Sequence, residues 1–209
     1  MQTFNKEGAK RTLTYTWYLY SMVILATSLL WVFGFNAFHQ STAHEKINLF
    51  IAAQVTSNKY EKEIKAKYER EKLREINTNS VHPSSELYYR KLQLYLSDSD
   101  IMILPKTTFE GFKNQYKTYF FAINDEMKQT YFNSSYEYYS EFEDGLSYGI
   151  LFKGNNVETW LSSYMTFVEE DYYLVLSSSS KNLGKFTSED NSYYDNALTV
   201  VKYLMEGVQ

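Results

Sequence analysis

The chain contains three histidines, His39, His44 and His82, and no cysteine. The missing thiol rules out disulfides, thiolate metal sites and cysteine nucleophiles. A serine hydrolase needs a histidine poised between a serine and a carboxylate. A zinc site needs ligands at short, regular spacing. The histidines fit neither pattern, and two of them follow a long apolar stretch, where they read as solvated. Acidic residues cluster at Glu141, Glu143 and Asp144, and again at Glu169, Glu170 and Asp171. Hard cations want such oxygen ligands, but neither spacing matches a calcium loop. Glycine is scarce, at eight residues, and forms no phosphate-cradling loop. The expectation is a protein that performs no chemistry and holds no metal or cofactor.

Composition narrows the partners. The net charge is −4 with no long basic run, so nucleic acid is not an expected partner. Tyrosine (21 residues) and phenylalanine (14) are abundant. Tyrosine rings can stack on carbohydrate or peptide while the hydroxyl bonds. The simpler reading is that tyrosine replaces leucine and phenylalanine in half-buried positions. Asn133-Ser134-Ser135 fits a glycosylation acceptor, a weak motif to which no role is given.

The element that positions everything else is Trp17 to Phe38, WYLYSMVILATSLLWVFGFNAF, which carries no charge. A helix needs roughly 20 mainly apolar residues to cross a bilayer core. Tyr and Trp at its ends suit the water–lipid boundary. Lys6, Lys10 and Arg11 precede it, opposed only by Glu7. The positive-inside bias places the short N-terminus inside and the rest outside the cell membrane. Ser41-Thr42-Ala43 offers small residues to a signal peptidase, but the apolar run exceeds a usual signal-peptide core. An uncleaved single-pass anchor is therefore expected. The expected organisation is a cytoplasmic tail over 1–15, a transmembrane helix over 16–38, a stalk over 39–45 and an extracellular domain over 46–209.

Along the outer domain, Ile47–Val55 is an apolar run of strand length, as in a sheet covered on both faces. Lys59–Arg74 places Tyr60, Ile64 and Tyr68 on one helical face. Its charged remainder reads as a solvated face. Glu75–Val81 is a short polar strand. Pro83 breaks the chain before a helix over Glu86–Leu96, capped by Ser84 or Ser85. Ile101–Leu104 is a third buried strand. This order predicts two right-handed βαβ crossovers and a parallel sheet. Beyond Phe109 the pattern is less regular. A short amphipathic helix and an aromatic segment precede a strand over Leu146–Phe152, a short helix over Val157–Tyr164 and a strand over Asp171–Leu176. A final helix starts near Ser192 and ends at Gly207.

Taken in order, KINLFIAAQV, a helix, a short strand, a second helix and SDSDIMILP resemble the first lobe of the type II extracytoplasmic solute-binding proteins of bacterial ABC transporters. SYGILF resembles that family's "yGiP" strand, with Leu151 where proline is usual. DYYLVLSSSSKNLGKF followed by DNALTVVKYLME resembles its closing strand, loop and helix. The resemblance implies an α/β fold, an import system with an ABC permease or another membrane protein as partner, and a small polar solute as ligand. Two departures stand beside it. The second lobe is reduced, and a helix rather than a lipid holds the protein.

Ligands of open α/β sheets sit beyond the carboxyl ends of the strands. That places Gln54, Thr56, Ser57, Val81, His82, Pro105 and Lys106 at the floor of a cleft, with Tyr148, Tyr172 and Ser180 opposite. The alternative function is a bitopic accessory subunit whose outer domain binds a membrane or envelope protein instead of a solute.

Overall fold

The computed structural model describes residues 6–39, 42–68, 73–154, 157–187 and 194–207, with side chains of the first helix described at 16–35. The chain divides into two compact units, Met1–Gln40 and Ser41–Gln209. The described residues of the first unit form one uninterrupted helix, α1 (Lys6–His39). Within it Thr16–Phe35 is long and apolar enough to cross a membrane, and none of it is buried. Two hydroxyls in this span are turned back onto the helix: Ser21 donates to the Trp17 carbonyl (2.9 Å) and Thr27 to that of Ile24 (3.1 Å).

In the second unit the chain runs β1 (Lys46–Ile51), β2 (Gln54–Val55), α2 (Lys59–Lys67), β3 (Glu75–Ser80), α3 (Tyr88–Tyr95) and β4 (Ile101–Pro105). It continues through α4 (Lys106–Gly111), α5 (Tyr116–Tyr119), α6 (Asp125–Tyr131), β5 (Tyr138–Tyr139) and β6 (Gly149–Lys153). It ends with β7 (Met165–Thr166), β8 (Tyr172–Leu176) and α7 (Asn196–Glu206). The fold is mixed α/β around a six-stranded sheet of order β3-β1-β4-β8-β6-β5. Strands β3, β1, β4 and β6 run one way, and β8 and β5 run against them.

The strand–helix–strand–helix–strand opening behaves as its pattern predicts, with β1 parallel to both β3 and β4. The expectation of a parallel sheet holds for most of its strands and is corrected at β8, which pairs antiparallel with β4 and β6, and at β5, antiparallel to β6. The reason lies in the connection. A parallel return needs a long crossover, normally a helix. Between β6 and β8 the described chain has only a 3-10 turn, Trp160–Tyr164, and the two-residue β7. It therefore re-enters at the end it left and runs back.

The expected first strand over 47–55 is also two pieces. Ala52 still donates to the Ile103 carbonyl (2.9 Å), but the chain then bends. Gln54–Val55 leaves the sheet to form an antiparallel ribbon with Met165–Thr166. α3 is shorter than its sequence pattern because turns flank it at both ends, and α2 stops at Lys67 with Tyr68 extended, residues 69–72 of its expected span lying outside the described residues. The start of the final helix expected near Ser192 lies outside the described residues.

Side-chain alternation sends the crossover helices to opposite faces. Thr78, in register with Leu49, accepts the Tyr60 hydroxyl of α2 (2.8 Å). Phe50, in register with Asn79, stacks on Tyr95 of α3 (5.8 Å between ring centres). α7 joins the α2 face, where Tyr68 donates to Asn196 (2.8 Å) and meets Tyr203 edge-on. α7 stops at Gly207, whose φ of 84° suits only glycine and whose missing Cβ leaves room for Trp160.

Where the second lobe was expected to shrink, the chain builds an aromatic core. Phe109 lies 5.0–5.5 Å from the rings of Tyr139, Phe120, Phe142 and Tyr173. Tyr116 stacks flat on Phe142 at 4.4 Å. Gly149 is a close-approach residue, since an added Cβ would stand 3.2 Å from the Phe109 ring.

The tyrosines fit the half-buried reading. Their rings pack while their hydroxyls reach carboxylates: Tyr131 to Asp195 (2.9 Å), Tyr136 to Glu206 (2.6 Å), Tyr148 to Asp144 (2.8 Å). Burial is the leading cause that pushes Tyr131, Tyr172 and Tyr173 up to about 12. It raises Tyr60, Tyr68, Tyr88 and Tyr136 as well. Unfolded tyrosines ionise near pH 10. Above that pH the unfolded chain releases protons that the folded chain keeps, so stability present below pH ~10 is lost as pH rises toward the folded values. The urea midpoint of residues 42–209 is expected to fall steeply above about pH 10. Tyrosinate absorbance should appear together with unfolding, and full ionisation of these tyrosines without unfolding would refute the assignment.

Candidate functional site

The strand polarity divides the candidate residues between two ends of the sheet. Gln54, Thr56, Ser57, His82 and Lys106 follow the carboxyl ends of β1, β3 and β4, and Tyr172 is in register with Pro105 at the same end. Tyr148 and Ser180 do not join them. Gly149, next to Tyr148, is in register with Val175, which faces Met102 near the start of β4. Ser180 follows β8, and because β8 is reversed its exit lies at the amino ends of β1 and β4. In a wholly parallel sheet that loop would have emerged at the carboxyl ends, so the misplacement of Ser180 follows from the reversed strand.

At the carboxyl ends Thr56, Ser57, His82, Lys106 and Tyr172 each bond within the chain, while the Gln54 side chain is exposed. The Thr56 amide donates to the Tyr164 carbonyl (2.9 Å), as does its hydroxyl (2.6 Å). Ser57 Oγ accepts from the Lys59 amide (3.4 Å), and His82 Nδ1 from the Ser84 amide (3.3 Å). The Lys106 amide donates to the Asp171 carbonyl (2.8 Å), and its ammonium stands 3.8 Å from Glu110. Tyr172 is wholly buried, packs on Phe167 at 4.7 Å, and accepts the Val168 amide (3.2 Å). Val81 and Pro105 are buried as well. Glu170, from the second acidic group, accepts the Thr107 hydroxyl (3.0 Å). Among the described residues no group of three or more His, Asp or Glu is arranged to hold a metal ion.

The amino ends hold a denser polar constellation. Asp100, nearly buried, accepts the Asn48 amide (2.9 Å), the Ser180 hydroxyl (2.6 Å) and the Asn182 amide nitrogen (3.1 Å). Asn182 also donates to the carbonyls of Ala43 (3.2 Å) and Lys46 (3.1 Å). Asn196 donates to the His44 carbonyl (2.6 Å), and the His44 ring stacks on Tyr194 at 4.4 Å. Glu45 pairs with Arg74 (3.2 Å) and accepts the Thr42 amide (3.0 Å). The end of the expected stalk is thus a 3-10 turn, Ala43–Glu45, clasped to the domain. A cleft of ≈ 580 Å³ opens beside this clasp, with Asn48, Asn77, Asn79, Tyr95 and Asp98 in its wall.

Sequence reasoning missed Asn48, Asn77, Asn79, Asp100 and Asn182. A signal for two of them was present: in EINTNS the asparagines alternate with Ile76 and Thr78, the period of one strand face. Ser99, also in the cleft wall, is buried with its hydroxyl unpartnered. Ser99→Ala removes that unsatisfied group, so it is expected to leave the unfolding free energy of residues 42–209 unchanged or raised by up to about 1 kcal/mol. A clear loss of stability would show that the hydroxyl has a partner in solution. Comparison with known protein families, curated proteins and solved structures finds no match for this chain.

Proposed function

We propose that this chain is a single-pass, non-catalytic membrane module, anchored by Thr16–Phe35 with its main domain outside, and that the domain works by contact with another membrane or envelope protein. The observation that carries this reading is the engagement of the carboxyl-end groups. Thr56, Ser57, His82, Lys106 and Tyr172 bond within the chain, and the β2–β7 ribbon lies just past the end of β1. A solute there would have to displace protein–protein hydrogen bonds, which lowers its net gain. The outer face of α3 adds support. Leu87 and Leu94 stand seven residues apart on one helical face and are 53% and 61% exposed.

A photo-crosslinking residue at Leu94 of the membrane-embedded full chain is expected to trap one defined protein, and the adduct should be lost with Leu87→Asp. Crosslinks to lipid alone would overturn the reading. Intact mass of the membrane-extracted protein tests the anchor, since a product beginning at His44 would make the apolar helix a cleaved signal.

The second reading is a solute-binding-like domain of an ABC-type import system with a reduced second lobe. The parallel β3-β1-β4 arrangement, joined by α2 and α3, is what favours it. It requires a small polar solute whose binding is lost with Thr56→Ala and Lys106→Ala.

A further inference from the structure

The clasp at the amino ends uses Asp100, Ser180 and Asn182, but it leaves other polar groups of the same cleft over. The Asn79 amide, the Ser97 hydroxyl, the Asp98 carboxylate and the Tyr95 hydroxyl line the cleft, and none has a hydrogen-bond partner among the described residues. The wall they stand on is fixed. Asn79 is in register with Phe50, and Phe50 stacks on the Tyr95 ring. The Asn48 side chain donates to the Asp98 carbonyl (2.8 Å), which ties the turn after α3 to β1. Ser179 donates to the Ser97 carbonyl (2.8 Å) and fixes the turn from its other side. The unpaired groups therefore sit on anchored backbone, as a preorganised site requires.

Their chemistry selects a ligand class. An apolar ligand would strand the amide, the carboxylate and the hydroxyls without water, a costly exchange. A simple anion would meet the Asp98 carboxylate. A simple cation would meet Lys46 and Lys181, which line the same cleft. A sugar ring presents vicinal hydroxyls that each donate and accept. Asp98 can only accept while ionised, a lysine can only donate, and Asn79 and Ser97 do both. The ring of Tyr95 adds an aromatic surface of the kind that packs on sugar C–H groups. A cleft of ≈ 580 Å³ has room for a saccharide of one or two rings.

We infer that the amino-end cleft is a binding site for a neutral, polyhydroxylated ligand, a sugar presented free or as part of an envelope glycan. The site is separate from the carboxyl-end region and does not depend on the protein-partner reading.

The test uses the full chain in lipid nanodiscs, which avoids sugar-headed detergents. The probes are glucose, N-acetylglucosamine, maltotetraose and chitotetraose, followed by saturation-transfer NMR and by thermal shift. At least one probe should bind saturably at millimolar concentration or better and raise the melting temperature. A preference for a tetrasaccharide identifies a glycan source, and a preference for a monosaccharide a free sugar. Asn79→Ala with Asp98→Ala should weaken binding about tenfold or more. Asp98→Asn alone alters an exposed side chain, so it tests the site without threatening the fold, and it too should weaken binding. Thr56→Ala with Lys106→Ala should leave binding unchanged. Absence of saturable binding to all four probes overturns the inference, as does binding that survives Asn79→Ala with Asp98→Ala. Binding lost only with Thr56→Ala and Lys106→Ala also overturns it, and moves the ligand to the carboxyl ends.

Discussion

Phe109→Ala is expected to destabilise residues 42–209 by about 3–5 kcal/mol, the range for removing a large buried aromatic side chain. Phe109 is fully buried, and its ring is shared by Phe120, Tyr139, Phe142 and Tyr173. These rings come from separate stretches of chain, so collapse into the void would have to move several elements together. Edge-on aromatic pairs contribute ~0.5–1.5 kcal/mol beyond the area they bury, and two, with Tyr139 and Phe142, are lost at once. Nor can the site shrink from the β6 side, because Gly149 already allows the closest backbone approach. Phe109→Leu keeps much of the volume and should cost less. Urea unfolding followed by near-ultraviolet circular dichroism separates the two variants. A cost below about 1 kcal/mol for Phe109→Ala would mean that the aromatic core is not a single packed unit.

Asp100→Ala should be the next most damaging change, at about 2–4 kcal/mol, because it deprives the Asn48 amide, the Ser180 hydroxyl and the Asn182 amide nitrogen of an acceptor in a buried setting. Asn182 would keep its bonds to Ala43 and Lys46, so the clasp should loosen at Ser180 first. Asp100→Asn retains one acceptor oxygen and should cost less at neutral pH. Its comparison with the natural chain also carries a pH signature. Burial is the larger influence and raises the carboxyl above its ordinary value of 3.8, against the hydrogen bonds from Asn48, Ser180 and Asn182, which lower it. A carboxyl raised in the folded state contributes stability that is complete below the unfolded value and is lost as pH rises through the folded value. The advantage of the natural chain over the Asp100→Asn variant should therefore be greatest in acid and shrink toward neutrality. Paired urea titrations across that range check it, and an advantage that grows with pH would overturn the assignment.

Much of the fold was legible in the residues because local pattern and tertiary need agreed. Tyr60, Ile64 and Tyr68, spaced by four, do face the core, and the short polar strand expected over Glu75–Val81 forms over Glu75–Ser80. Ile101–Leu104 is buried throughout, as an apolar run between a turn and a proline should be. What misled was connection geometry. Asp171–Leu176 has the look of any buried strand, and its direction is not written in its composition. A parallel and an antiparallel central strand can bury the same side chains. That one ambiguity moved Ser180 to the other end of the sheet and hid the constellation around Asp100. Nothing local singled out Asp98, Asp100, Asn182 or Asn196, because their partners lie as far as 50 to 152 positions away.

The sequence by itself determined the apolar helix, the strand–helix–strand–helix–strand opening and the absence of thiol chemistry. Those depend on residue identity and on periods of two and 3.6, which are local. It also determined that tyrosine would carry much of the packing. The tertiary structure alone decided which way β8 runs, and with it which polar residues meet. It decided too that the carboxyl-end groups bond within the chain while the amino ends hold a clasp and a cleft. Strand direction is set by how short the connecting chain is and where it must re-enter, and hydrogen bonds between distant residues exist only once that path is closed.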